Sequence, residues 1–243
     1  AILGKMMNGL PGLFAGMAVG VVISVIVAFL VGLPTLRLKG DYLAIATLGV
    51  AEIIRVAVTN MKITNGAAGI SGVPLTNTWT ITYIALVLTT ILILNYTFSS
   101  AGRATYAVLQ DEIAAESMGV QVTKYKILAF VLGAATASIG GTLSATTLGA
   151  VTPSDFTFMK SIEVLIIVVF GGIGSFTGSF VAAILLGIIN LVLQPFGQLR
   201  MIIYAVALIL IMIFRPGGLL GTWEFKLGDF KFSKKKETKE SGK

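Results

Sequence analysis

Hydrophobic side chains along this 243-residue chain fall in long unbroken runs, without the polar stripes of a water-soluble fold. No Asp, Glu, Lys or Arg occurs from Met6 to Leu36, from Ile63 to Gly102, from Ile127 to Ser154 or from Val164 to Leu199. Each interval exceeds the roughly 20 apolar residues that a membrane-crossing helix needs. The pattern predicts seven hydrophobic segments, at about 12–33, 42–58, 79–98, 127–151, 161–174, 176–194 and 201–214. The expected fold is all-α, a polytopic transmembrane bundle. Strands of a membrane barrel would alternate apolar with polar residues, whereas VVISVIVAFLV (21–31) is apolar on every side. Segments 161–174 and 201–214 are short, about 21 Å each at 1.5 Å per residue against a core of about 30 Å. The first ends in GGIGSFTGS (171–179), where Gly171, Gly172 and Gly174 suit a half-helix that breaks and turns back.

Composition agrees with the pattern. Hydrophobic residues make up 56% and charged residues 12%, with mean hydropathy +0.93, against about 25% charge in soluble domains. Cysteine and histidine are both absent. Disulfides, thiol catalysis, thiolate or imidazole metal sites and Ser-His-Asp chemistry are therefore excluded. No metal site and no cofactor bound by this chain are expected.

The net charge of +7 is uneven, with seven basic and four acidic residues in 221–243. Lys234, Lys235 and Lys236 follow a hydrophobic segment closely, which suits a disordered cytoplasmic tail beside anionic lipid rather than nucleic-acid binding. Domain limits of 1–220 for the membrane domain and 221–243 for the tail follow. If the tail is cytoplasmic, thirteen basic residues lie in inside loops and four, Lys5, Lys62, Lys160 and Arg200, outside. This asymmetry places loops 34–41 and 99–126 in the cytoplasm. The start at Ala1 without a signal-peptide pattern, and the odd number of segments, lead to the expectation of further helices ahead of it.

Charged residues near membrane depth are Glu52, Arg55 and Glu163. Glu52 and Arg55, spaced i, i+3, share a helix face and can pair. Such a pair either lines a cavity in the bundle or snorkels to water at the helix end. Glu163 follows Ser161 at an expected helix start, where a carboxylate favours the helix dipole. The loop ITNGAAGISGVP (63–74) carries Asn65, Gly66, Gly69 and Gly72. It is either a plain external loop or a place where backbone approaches a small substrate. GGIGSFTGS lacks the Gly-Lys-Ser/Thr ending of a phosphate loop. Small residues four apart, Gly12, Gly16 and Gly20, then Gly133, Ala137 and Gly141, predict close helix-packing faces.

The charged interruption at 99–126 is too long for a turn. Asp111 and Glu112 suit the start of a short helix and Gly119 its end. Ile113, Ala114, Ala115 and Met118 lie between, with Glu116 among them, and offer a small apolar surface with no lipid to bury it. That surface either enters a groove on another protein or folds back on its own bundle.

The run GRATYAVLQDEIAAESMGVQVTKYKILAFVLGA (102–135) resembles the cytoplasmic coupling region of permease subunits of bacterial branched-chain amino acid ABC importers, nearer to the M-type permease. LPTLRLKGDYLAIATLGVAEIIR, NGAAGISGVP, PSDFTFMKSIEVLIIVVFGGIGSFTGS and RMIIYAVALILIMIFRPGGLLG agree in order, so the likeness covers most of 33–221. Ala114, Ala115 and Gly119 keep the coupling signature's spacing, with Ile113 where the wider class has glutamate; Ala68 stands where relatives often have Asn. The resemblance implies a transport subunit of the inner membrane for leucine, isoleucine and valine. It also implies a second homologous permease, two cytoplasmic ATPases holding ATP and Mg, and an external amino-acid-binding protein. An ABC permease for urea or another small solute, and a secondary transporter driven by an ion gradient, are the alternatives.

Overall fold

The computed structural model describes residues 1–2, 9–172 and 174–197, with isolated positions 203, 206, 209 and 218. Helices dominate. The expected segment 201–214, most of the C-terminal block and the tail at 221–243 lie outside the described residues. Two compact units emerge, one through Phe158 and one from Met159.

In the first unit, α1 (Leu10–Thr35), α2 (Asp41–Asn60), α3 (Trp79–Phe98) and α6 (Val122–Leu148) are long and apolar enough to cross a membrane. Between α3 and α6 come α4 (Ser100–Gln110) and α5 (Glu112–Ser117). The chain runs up and down. Gly20 of α1 lies against Ser138 and Thr142 of α6, and Gly32 lies against Phe130; contacts that descend along α6 as they ascend α1 make the two helices antiparallel. Loops 36–40 and 99–121 therefore share one end of the unit, and loops 61–78 and 149–157 the other.

Local chemistry sets the boundaries. Pro34 ends α1 within two residues, as a ring that cannot donate to the helix ladder. Gly40, at φ 58°, turns the chain into α2 with Asp41 in its first turn. The α3–α4 elbow closes on Ser99, whose Oγ donates to the Tyr96 carbonyl at 2.6 Å and accepts from the Gly102 amide at 3.1 Å. A methyl at Gly102 would collide with the Tyr96 and Thr97 carbonyls, so glycine alone fits. The last segment of the unit starts at Val122 rather than 127, because Gln121 already leads directly into helix.

The expected small-residue faces are half right. Gly12 is buried and Gly20 meets α6, but Gly16, Gly133 and Gly141 have open space where a side chain would stand. The α6 stripe facing α1 is Phe130, Ser138 and Thr142, one position beyond the glycine stripe. Side chains such as Tyr42, Ile45, Ile53 and Leu88 are largely exposed, a surface that water would not tolerate and that lipid accommodates.

In the second unit, α7 (Phe158–Gly171) and α8 (Phe176–Leu193) form a hairpin. Phe170, Ala182 and Leu186 are its buried core, with Ile166, Ile167 and Ile189 packed around them. A methyl at Gly171 would strike the backbone of Gly178 and Ser179. Ser175 caps α8, accepting from the Gly178 amide at 3.0 Å. Gly172 and Gly174, between the two helices, have positive φ. α7 has 14 residues, about 21 Å and short of a full crossing; α8 is long enough.

Candidate functional site

At the α5 end, Asp111 is the N-cap. Its Oδ1 accepts from the amides of Ile113 and Ala114 at 2.9 and 3.0 Å. Gly119, at φ 83°, closes the helix in a Schellman arrangement: its amide donates to Glu116 O at 2.9 Å and the Val120 amide to Ala115 O at 3.1 Å. Capped at both ends, six residues hold a helical shape that their length alone would not sustain.

Ala115 faces inward. It is 6% exposed and joins Val108 of α4, Val122 of α6 and Val120 in one apolar cluster. This corrects the expectation that Ala115 belongs to an outward contact surface: a six-residue helix has two faces, and Ala115, unlike its equally small neighbour Ala114, stands on the one turned to α4 and α6. Ile113 and Met118, 76% and 85% exposed, form the outward face with Ala114. Glu112 accepts from Lys126 Nζ at 2.7 Å, tying α5 to α6. That hydrogen bond, with the charges of Lys126 and Lys39, holds the Glu112 carboxyl below its usual range against the opposing pull of burial. Beside α5 opens a hollow of about 780 Å³ walled by Phe29, Val120, Gln121, Lys124 and Ile127.

At the opposite end, the glycine-bearing loop is stitched to the segment after α6. Two short strands, β1 (Ile70–Ser71) and β2 (Ala150–Val151), pair antiparallel, with Ile70 opposite Val151 and Ser71 opposite Ala150. Asn65 and Gly66 both adopt left-handed conformations, and Gly69, at φ 71°, lies against the Val151 carbonyl with no room for a side chain. Gly72 also has positive φ but faces open space. Asp155 accepts from the Thr152 hydroxyl at 2.6 Å and the Thr152 amide at 3.1 Å, and these bonds lower its carboxyl from the ordinary value.

Glu52 and Arg55 form the expected pair, with Arg55 Nε donating to both Glu52 oxygens at 2.9 and 3.1 Å. The pair sits on α2, which has no buried residue. Glu163 lies in the second turn of α7, since that helix starts at Phe158, three residues earlier than expected. The carboxylate therefore misses the helix terminus and accepts from Lys160 Nζ at 2.7 Å. Gly171, Gly172 and Gly174 shape the α7–α8 hairpin.

Sequence reasoning overlooked a groove of about 590 Å³ between α3 and α6. Thr82, Ala85 and Thr89 of α3 face Thr136, Leu143 and Thr147 of α6 across it. None of the residues singled out for a substrate route lines it. Asn77 bridges its mouth, its Nδ2 donating to Thr147 Oγ1 at 2.7 Å while its Oδ1 accepts from Thr82 at 3.1 Å. The available signal was the recurrence of Thr82 with Thr89, and of Thr136 with Ser144 and Thr147, at helical spacing.

A family model described as "Branched-chain amino acid transport system / permease component" matches residues 1–214. The chain is 36% identical over 233 residues to the high-affinity branched-chain amino acid transport system permease protein LivM of Salmonella typhimurium, covering 82% of this chain and 55% of that protein. It is 37% identical to LivM of Escherichia coli K12, covering 79% and 53%. It is also 30% identical over 145 residues to LivH of the same strain, covering 59% and 46%. The chain thus spans about half the length of the LivM relatives it matches. No solved structure matches it.

Proposed function

Because the chain belongs to the permease-component family of branched-chain amino acid transport systems, we propose that it is a transmembrane subunit of an ABC importer that moves leucine, isoleucine and valine into the cell by ATP-driven alternating access. The observation that carries this reading is α5. A helix held by Asp111, Gly119 and the Glu112–Lys126 ion pair turns Ile113 and Met118 outward, uncovered among the described residues. A rigid apolar knob of that size suits a groove on a cytoplasmic protein.

In this reading α5 and the rest of 99–126 receive the motion of ATPase subunits, which hold ATP and Mg, while this chain binds no cofactor. A second, homologous permease completes the pathway, and an external binding protein delivers the amino acid at the β1–β2 end. In this reading the α5 end and the 221–243 tail lie on the cytoplasmic side of the inner membrane, which the basic residues in 34–41 and 99–126 and in the tail support. Glu52 and Arg55 act in the route or at its helix contacts, so Glu52→Gln lowers uptake without loss of assembly.

The test is co-purification of the full-length permease with its ATPases, then leucine uptake in proteoliposomes supplied with binding protein and ATP. Met118→Glu is expected to lose ATPase association and uptake together while the permease itself stays folded. Uptake that needs no ATPase and follows an imposed ion gradient would establish a secondary transporter instead.

A further inference from the structure

We propose that the groove between α3 and α6 is the outer half of the substrate's route and receives the ammonium end of an aliphatic amino acid. The inference rests on the importer reading above and adds to it a site and a chemical preference.

Depth comes first. The groove begins at Asn77 and Trp79 and reaches Thr89 and Thr136. Thr89 lies ten residues into α3, about 15 Å at 1.5 Å per residue, which is half of a core of about 30 Å. The cavity therefore opens at the β1–β2 end and stops near mid-membrane. Access from one side to a closed midpoint is what one state of an alternating-access path requires.

The chemistry of the wall follows from counting hydrogens. Thr82 donates to Asn77 Oδ1 at 3.1 Å, Thr89 to the Ala85 carbonyl at 2.8 Å and Thr136 to the Gly133 carbonyl at 3.0 Å. A hydroxyl has one hydrogen and two acceptor lone pairs. With the hydrogens engaged, these three present acceptors only. The Asn77 amide hydrogens are likewise directed to Thr147 Oγ1 and the Leu143 carbonyl. An ammonium, with three donors and no acceptor, is complementary to the inner part of the wall, where Thr89 and Thr136 stand; the donors that remain, the Thr78 and Ser144 hydroxyls and the Trp79 indole N–H, stand nearer the mouth. Leu86 and Leu143 supply the apolar surface that an aliphatic side chain needs. Among the described residues no charged side chain lines the groove, so a solute is held there by hydrogen bonds and can leave, as conduction demands.

These 243 residues carry no cysteine, so labelling at an introduced cysteine is read against the unsubstituted complex as background. In the assembled complex in nanodiscs, Thr136→Cys and Ser144→Cys of the full-length permease are reacted with an ammonium-bearing methanethiosulfonate and with its sulfonate counterpart. Normalised to a free thiol, the ammonium reagent should react at least about tenfold faster, the effect of one hydrogen bond to a charged group. Leucine and isoamylamine should slow the reaction; 4-methylpentanoate, which is leucine without its amino group, should not. Leu88→Cys, on the exposed side of α3, should show no protection. Should Thr136→Cys fail to assemble, Ser144→Cys carries the test, because no hydrogen bond of the Ser144 side chain is lost among the described residues.

Equal rates for the two reagents, or protection by 4-methylpentanoate as strong as by leucine, would overturn the ammonium preference. No labelling by either reagent would show the groove covered by lipid or another chain and would overturn the route. If the unsubstituted complex still takes up leucine with ATP in that case, only the groove assignment falls. If it takes up no branched-chain amino acid, the importer reading falls first.

Discussion

The two ends of α6 are finished in opposite ways. At Val122 the helix meets α5, a capped element joined by an ion pair and an apolar cluster that leaves large side chains uncovered. At Leu148 it passes through Gly149 into a two-stranded clasp built from backbone bonds, left-handed glycines and uncharged hydroxyls. One end is a rigid knob that advertises apolar surface. The other satisfies its own backbone and keeps its close approaches to glycine. If, as proposed, the ends have different tasks, they need different materials: a docking element must stay shaped without its partner, while a mouth must hold two distant segments together.

The clasp should be the more fragile under substitution. Gly69→Val combines a left-handed backbone, worth about 1–3 kcal/mol of strain for a non-glycine residue, with collision at the Val151 carbonyl. It should largely abolish folded permease in the membrane, read as loss of monodisperse protein in detergent. At the other end Ala115→Trp should cost about 1–3 kcal/mol by overpacking the cluster with Val108 and Val122, lowering thermal stability of the isolated permease. Met118→Ser should leave that stability unchanged and weaken only ATPase association. Equal melting losses for the two substitutions would erase the distinction between the inner and outer faces of α5.

Smaller effects sharpen the comparison further. Asp111→Ala removes the cap and should cost about 1 kcal/mol, visible as faster hydrogen exchange across Glu112–Ser117 with no change at Ile70–Ser71. The Glu112–Lys126 tether should be worth under about 1 kcal/mol, as a partly exposed pair. Because the folded chain favours the ionised carboxylate, its contribution is complete above the ordinary pKa of 4.5 and is lost as pH falls through the lowered folded value. The melting difference between wild type and Glu112→Gln should therefore shrink on acidification from pH 7 into the range below about 4.5.

The spans α1, α2, α3, α6 and α8 were legible because apolarity over some twenty residues is a local property. Asp111 and Gly119 were legible for the same reason, since caps act within a turn. The facing of Ala115 was not, because six residues carry too little periodicity to tell one side from the other. Pairing of Ile70 with Val151 has no local signal either; it joins segments some eighty residues apart through backbone alone. The groove was hidden because Thr89, Thr136 and Thr147, read singly, look like hydroxyls bonded to their own helices.

Continuous helix from Val122 to Leu148 spans 27 residues, a rod of about 40 Å. With Lys126 bonded to α5 near one end and Thr136 to Thr147 lining the groove toward the other, α6 would serve the proposed importer as a lever. A tilt of about 5° on a rod of that length carries its far end by about 3.5 Å, more than the diameter of a water molecule. A push too small to reshape the knob would still widen or shut the mouth.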